Sequence, residues 1–175
     1  MANDPQSIAF RNALGVFATG VTVISTHDPK LGDAAITANS FNSVSLDPRL
    51  VLWSVGKNSQ SLPVFLVSSH YVVHILAEDQ QPISNHFASS GDDKFSGIKF
   101  ERVEGDCPRL PDCAAYFHCA RDQVIEAGDH WLFIARVERF SGSSSNPLVY
   151  HRGRYANLQT PNSDGWELGF EDWTW

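Results

Sequence analysis

The stretch of sequence that decides the fold is residues 35–52, which read AITANSFNSVSLDPRLVL. A strand that ends in the polar run 37–41 leaves a row of backbone amides and hydroxyls pointing outward. Such a row suits the edge of a flat polar ring, which needs alternating donors and acceptors. It also suits a polar loop that caps its own backbone, as Ser, Thr and Asn often do. Because such caps are common, the chemistry alone favours the cap over a ligand site.

Short predicted strands dominate the rest of the chain. Asp4-Pro5 opens a helix with a capping carboxylate and an early proline, and its apolar face is formed by Phe10, Ala13, Leu14 and Phe17. A β-branched strand at 21–25 leads into a turn at 27–33. Further strands are predicted at 34–38, 42–46, 50–55, 71–76, 116–125, 131–140 and 148–152, with short helices at 62–67 and 82–88. Many short strands and few helices predict a barrel or a sandwich.

Composition limits the classes of function. The 175 residues are 42% hydrophobic and 19% charged, which is typical of one globular domain. The net charge of −7, with scattered Lys and Arg, argues against binding of nucleic acid or anionic membranes. No apolar run is long enough for a membrane span, and residues 1–5 have neither a basic start nor a hydrophobic signal core. We therefore expect a cytoplasmic protein.

Cysteine and histidine residues raise the question of a metal site. Cys107, Cys113 and Cys119 lack the close CxxC pairs of zinc sites, so free structural thiols are favoured over a cluster completed by His118. His70 and His74 share a strand face but lie about 13 Å apart at ~3.3 Å per residue, too far to chelate one ion. The sequence thus predicts no metal site.

Five segments together resemble the flavin reductase-like, FMN-binding split-barrel family. Residues 35–52 resemble its flavin-binding signature, except that Arg49 stands where a second proline is common. The other matches follow in family order, between about Phe10 and Leu158: residues 54–59, Phe87 with 93–95, the Gly-Asp-His of 128–130, and the His-x-Gly-x-Tyr of 151–155. Each match is weak alone, but the ordered set is specific.

The resemblance implies a mainly β fold with short flanking helices, a split β-barrel of the FMN-binding type. It covers residues 1–158 as one domain. Residues 159–175 match nothing in the family and hold Trp166, Trp173 and Trp175 among acidic residues. Three exposed indoles would present a large apolar surface, so we expect this tail to pack on the domain or on a dimer mate. The family also implies a homodimer, which long apolar strands such as 131–137 favour.

The resemblance also implies a set of cofactor-binding residues and no catalytic side chain. Those expected along the flavin ring and ribityl chain are Thr37, Ala38, Asn39 and Ser40, and Ser43 and Ser45 alternate on one strand face towards the same site. Those expected at the phosphate end are Ser54, Val55, Lys57 and Ser59. Phe87 belongs to a further matched segment, and the candidates for the nicotinamide side are His130, His151 and Tyr155.

The implied function is an NAD(P)H-dependent flavin reductase that transfers hydride from NADH, with NADPH as an alternative donor, to FMN or FAD. Relatives of this kind supply reduced flavin to a separate monooxygenase. The cofactors supply the chemistry and the protein supplies orientation. Two other functions stay open, because a fold alone does not decide function: a non-catalytic flavin-binding or electron-carrier protein, and an interaction module without flavin.

Overall fold

Twelve strands and three α-helices form the part of the chain described by the structure, a computed structural model that covers residues 4–91 and 93–158. The helices are α1 (Pro5–Leu14), α2 (Leu62–Val67) and α3 (Gln81–Ala88), with a 3₁₀ turn at Glu104–Asp106. The strands are β1 (Thr19–Gly20), β2 (Thr22–Asp28), β3 (Gly32–Ala38), β4 (Asn42–Leu46), β5 (Arg49–Gly56), β6 (His70–Ile75), β7 (Glu101–Arg102), β8 (Pro108–Arg109), β9 (Ala115–Ala127), β10 (His130–Gly142), β11 (Val149–His151) and β12 (Arg154–Ala156).

One antiparallel sheet of seven strands, in the order β3-β2-β6-β9-β10-β5-β4, carries the fold. Its inner face buries an aromatic cluster in which the rings of Trp53 and Phe133 stack at 5.6 Å and Tyr71 meets Trp53 edge-on at 5.1 Å. The Tyr71 hydroxyl is satisfied by the carbonyl oxygen of Phe65 at 2.9 Å, so this buried polar group costs little. The cluster ties α2 to the centre of the sheet.

The two ends of this sheet, β3 and β4, are consecutive along the chain. Within the described residues no ladder joins them, so the sheet curls round and stays open between them. The chain crosses this opening in residues 39–41. The predicted fold class, mainly β with short helices and a split β-barrel, is confirmed.

Several element bounds differ from the predictions. The turn predicted at 27–33 is shorter, because the Asp28 carboxylate accepts the amides of Lys30 and Leu31 and lets β2 continue to Asp28. The strand predicted at 148–152 stops at His151. Arg152 and Gly153 turn the chain at φ 50° and 76°, and β12 returns beside β11.

The N-terminal helix begins as predicted, with Asp4 accepting the amides of Gln6 and Ser7. It ends earlier than predicted: Gly15 caps it, so Phe17 lies beyond its last turn. No residue of α1 is buried, and its apolar residues are exposed. An apolar stripe shows that a helix has a face to cover, but not which surface covers it.

The three cysteines stay free thiols, as predicted. Burial raises the pKa of Cys107 and Cys113 to about 11 and that of Cys119 to about 12, so all three are protonated near neutral pH. No helix of the described part is long and apolar enough to cross a membrane. The tail at 159–175 lies outside the described residues.

His74 is a fully buried histidine between β2 and the loop before β9. Its Nδ1 lies 2.9 Å from the carbonyl oxygen of Val23, and its Nε2 accepts the amide of Leu110 at 3.0 Å. These partners require a neutral ring with the proton on Nδ1. Burial lowers the pKa of His74 to about 4, and Arg109 acts in the same direction.

This histidine predicts an acid-sensitive stability. The unfolded chain binds a proton at His74 near pH 6.5 and the folded chain only near pH 4. The contribution of neutral His74 to the free energy of unfolding is therefore complete above pH 6.5. It is lost as pH falls towards 4, by up to about 3 kcal/mol. Urea unfolding of the wild type and of His74→Gln across this range measures it. The prediction fails if the variant keeps the wild-type pH slope; His130→Gln, at a half-exposed position, is the control.

Candidate functional site

An open cavity of about 400 Å³ lies beside the free edge of β3. Four parts of the chain line it: the end of β3 with the link to β4, the end of β5 with its following turn, the end of α3 with the loop after it, and the start of β10. The lining comprises residues 36–40, 54–56, 58–60 and 87–90, with Lys94 and His130. Its volume lies within the range of small-molecule and cofactor sites.

Within the polar run predicted at 37–41, residues 37–40 line the cavity, and two of their hydroxyls also bind backbone groups. The Thr37 hydroxyl donates to the carbonyl oxygen of Ser84 at 2.7 Å, and Ser40 Oγ accepts the amide of Ser54 at 3.0 Å. These side chains hold α3 and β5 against β3. Since β3 pairs only with β2, half of its backbone groups face away from the ladder. The backbone edge, more than the hydroxyls, is what the site offers to a planar ligand.

Only some of the residues predicted for the phosphate end line the cavity. Ser54, Val55 and Ser59 line the cavity, whereas the Lys57 ammonium lies outside it and contacts the Glu126 carboxylate at 2.5 Å. The Lys57 amide donates to the carbonyl oxygen of Asp129 at 2.9 Å, which fixes the turn at the rim of the cavity.

The lysine that lines the cavity is Lys94, not Lys57. Its ammonium donates to the carbonyl oxygens of Ala35 at 3.2 Å and Phe87 at 3.0 Å. Partial burial lowers the pKa of Lys94. Two of its three donors are thus used to join β3 to α3, and the third is left for a ligand.

The residues predicted for the nicotinamide side do not lie together in one cavity. His130 opens β10 at the cavity, with Nδ1 at 2.7 Å from the Asp129 carboxylate, and this hydrogen bond lowers the pKa of Asp129. Tyr155 lines a smaller neighbouring cavity of about 180 Å³, which shares residues 37–39 with the first. Its hydroxyl lies 2.8 Å from both Ser84 Oγ and Asn85 Oδ1.

Besides Lys57, three predicted residues line neither of these two cavities. His151 lies on β11, and Ser43 and Ser45 lie on β4, beyond the link that crosses the opening. Phe87, which is 1% exposed, does contribute to the lining. The lining also includes residues that were not predicted, namely Ile36, Gly56, Asn58, Gln60, Ala88, Ser89, Ser90 and Lys94. Apart from Ile36 and Lys94, they lie at the ends of β5 and α3 or in the turns that follow, and this position in the sequence could have identified them.

The lining combines apolar side chains such as Ile36, Val55 and Phe87 with backbone groups, hydroxyls, amides, one ammonium and one imidazole. Among the described residues that form it there is no carboxylate or thiol. Such a set can orient a flat polar molecule and stabilise negative charge on it through Lys94 and backbone amides. It suits a cofactor that brings its own reactivity.

Comparison with known proteins agrees with this geometry. Residues 14–159 match the family described as flavin reductase like domain. The chain is 40% identical over 152 residues to the FMN reductase (NADH) SmoA of Agrobacterium fabrum, covering 87% of this chain and 86% of SmoA. It is 41% identical over 152 residues to the stachydrine N-demethylase reductase subunit Stc3 of Rhizobium meliloti, covering 87% of this chain and 65% of Stc3.

Some relatives are longer than this chain. The match covers 65% of Stc3, 48% of a probable flavin reductase of Rhizobium meliloti and 50% of the reductase component of a trigonelline monooxygenase of Acinetobacter baylyi. The chain therefore spans between about half and two thirds of these proteins.

Solved structures match over the whole described fold. The NADH:FAD oxidoreductase SgcE6 of Streptomyces globisporus, solved with NAD and FAD fragments, superposes with a TM-score of 0.85 at 30% identity, covering 92% of this chain and 98% of SgcE6. The flavin reductase PheA2 superposes with a TM-score of 0.79 at 38% identity, covering 90% of this chain and 99% of PheA2. The chain belongs to the flavin reductase like domain family.

Proposed function

We propose that this protein is an NAD(P)H:flavin oxidoreductase that transfers hydride from NADH to FMN or FAD. The observation that carries the proposal is the cavity of about 400 Å³ at the free edge of β3, lined by backbone groups, hydroxyls and Lys94. The names of SmoA, an FMN reductase, and SgcE6, an NADH:FAD oxidoreductase, support the same reaction. NADPH remains an alternative donor.

The residues of the cavity fit a flavin. When bound, a flavin would supply the hydride acceptor at N5, and NADH would donate hydride from C4 and become NAD⁺. Residues 37–40 would offer donors and acceptors to one edge of the ring, and Lys94 would supply positive charge to stabilise the reduced flavin. Ser54, Val55 and Ser59 lie where the phosphate end is expected. His130 stands at the mouth, and Tyr155 in the adjoining cavity.

The reduced flavin passes to a separate monooxygenase in this proposal. Several relatives carry that role in their names, including the reductase subunit HsaB of Rhodococcus jostii, which is 36% identical over 159 residues. An open cavity suits a flavin that arrives oxidised and leaves reduced. The setting that we propose is the cytoplasm, where NADH is supplied.

The proposed assembly is a homodimer in which α1 packs against the second copy. Four large apolar side chains at this end of the chain are between 46% and 74% exposed: Ile8, Phe10, Leu14 and Phe17. An apolar patch of this kind marks an interaction site in most proteins. The tail at 159–175 is proposed to pack on the domain or on the dimer mate.

Activity is the first prediction of this proposal. The purified protein should oxidise NADH when FMN or FAD is added, with no added metal and without loss in EDTA, because hydride transfer needs only stacked rings at about 3–3.5 Å. Absorbance at 340 nm measures NADH. Absence of turnover with FMN, FAD and riboflavin, tested with NADH and with NADPH, would leave flavin binding or an interaction role as the function.

Lys57 provides the second prediction, since it lies at the rim between the lining residues Gly56 and Asn58. Binding of a flavin phosphate would exchange Glu126 for the phosphate as the partner of its ammonium. Lys57→Ala should weaken FMN binding about tenfold and leave riboflavin binding unchanged. Flavin fluorescence measures both affinities, and Lys30→Ala, in the β2–β3 turn, is the matched control. Equal losses for FMN and riboflavin would place the phosphate elsewhere.

Assembly is the third prediction. Light scattering should show a dimer for the wild type and a monomer for the double variant Phe10→Glu/Leu14→Glu, because two buried charges oppose association. Asn12→Glu adds a charge on the opposite side of α1 and should remain dimeric. A monomeric wild type with full activity, or a double variant that stays dimeric, would contradict the proposed interface.

A further inference from the structure

A cluster of titratable side chains lies on the main sheet, away from the cavity. One potential ligand atom each from His70 on β6, Glu104 in the 3₁₀ turn and Glu138 on β10 lies within 4.8 Å of the others. His118 on β9 stacks on His70, with ring centroids 5.6 Å apart. Since Glu138 and His130 share strand β10, about 3.3 Å per residue puts the cluster roughly 25 Å from the cavity mouth.

His118 presents a buried ring nitrogen to this cluster. Its side chain is 4% exposed, and its Nε2 donates to the carbonyl oxygen of Glu104 at 2.9 Å. The other ring nitrogen, Nδ1, is buried and has no hydrogen-bond partner among the described residues. It faces Glu138 Oε2 at 3.4 Å.

Two features of the backbone bring the carboxylates of Glu104 and Glu138 to the cluster. Glu138 is the extra residue of a β-bulge, because Val137 pairs with Cys119 while Arg139 pairs with His118. Bulges re-aim a side chain out of the regular alternation. Glu104 is brought over His70 by a close contact at Gly105, where a Cβ would lie 2.7 Å from the Cβ of His70 and φ is +73°. Only glycine fits that position.

One distance in the cluster matches the spacing of neighbouring ligands on a tetrahedral metal. Zinc bonds to His nitrogen and carboxylate oxygen measure about 2.0–2.2 Å, which puts neighbouring tetrahedral ligands about 3.3 Å apart. His118 Nδ1 and Glu138 Oε2 are 3.4 Å apart. The histidines are fixed by the sheet, and Ser69 Oγ contacts His70 Nδ1 at 3.0 Å. The two glutamates are 37% and 53% exposed and can close around an ion.

The charges of the cluster also favour a bound cation. Two carboxylates meet here, and the only cation in contact among the described residues is Arg139, at 3.5 Å from Glu104. Both carboxylates therefore lie beside the buried, unpartnered nitrogen of His118. A mixed imidazole and carboxylate set suits transition metals, whereas Mg²⁺ prefers oxygen ligands and keeps its water.

We propose that His70, Glu104 and Glu138, together with His118 Nδ1, form a binding site for a divalent transition metal ion such as Zn²⁺. The ion joins β6, β9 and β10 to the 3₁₀ turn that covers them. Its role is structural, since the site shares no residue with the flavin cavity. The proposal is independent of the proposed reductase activity.

Titration of the metal-free full-length protein with Zn²⁺ tests the proposal, with calorimetry and thermal unfolding as readouts. One Zn²⁺ per chain should bind, and a free concentration roughly hundredfold above the Kd should raise Tm by about 5–10 °C. Mg²⁺ should not do so. Glu138→Gln and Glu104→Gln should each weaken Zn²⁺ binding by at least about tenfold and remove the rise in Tm. Both positions are exposed enough for the variants to fold.

Glu101→Gln is the matched control, because it removes the same charge three residues before Glu104 and outside the cluster. It should bind Zn²⁺ as the wild type does. Absence of a Zn²⁺ equivalent, or affinity unchanged in Glu138→Gln and Glu104→Gln, would overturn the proposal. So would an equal loss in Glu101→Gln. NADH oxidation should be unchanged with and without the ion, which separates this result from that of the activity test.

Discussion

The backbone edge of β3 is the constraint on which the structure depends. A strand at the end of a sheet has a row of N–H and C=O groups without ladder partners, and proteins must cover, charge or use such an edge. Here β3 and β4 are joined by residues 39–41 but do not pair with each other, and the barrel stays open between them. The opening holds the cavity, so closing the barrel would abolish the site.

Side-chain hydrogen bonds join the elements on either side of this opening. Ser40 joins the link to β5 through the amide of Ser54, and Thr37 joins β3 to α3 through the carbonyl oxygen of Ser84. Lys94 adds a charged tie between Ala35 and Phe87. The same three side chains therefore hold the elements together and form part of the polar lining of the cavity. A substitution at Thr37 or Lys94 would change cavity shape as well as ligand contacts, which makes the rim residue Lys57 the cleaner probe of phosphate binding.

The sequence predicted what depends on local pattern and missed what depends on distant partners. The alternation and turns in residues 34–55 predicted β3, β4 and β5, and residues 37–40 of the polar run do face the cavity. Lys57 was placed by its neighbours in sequence, but its ammonium contacts Glu126 on β9, whereas Lys94 reaches the lining because the loop after α3 folds back on β3. The proposed metal site left no spacing signal in the sequence, since His70, Glu104, His118 and Glu138 come from four separate elements that the sheet register and one bulge bring together.

The central claim is that the open edge of β3 holds a flavin ring with one face turned to the nicotinamide. Anaerobic stopped-flow reduction of FMN by NADH deuterated at the pro-R or the pro-S position of C4 tests it most directly. A fixed ring geometry predicts rapid loss of flavin absorbance near 450 nm, slowed by deuterium at one position and not at the other. Reduction no faster than without protein, or slowed equally by both labels, would contradict the account.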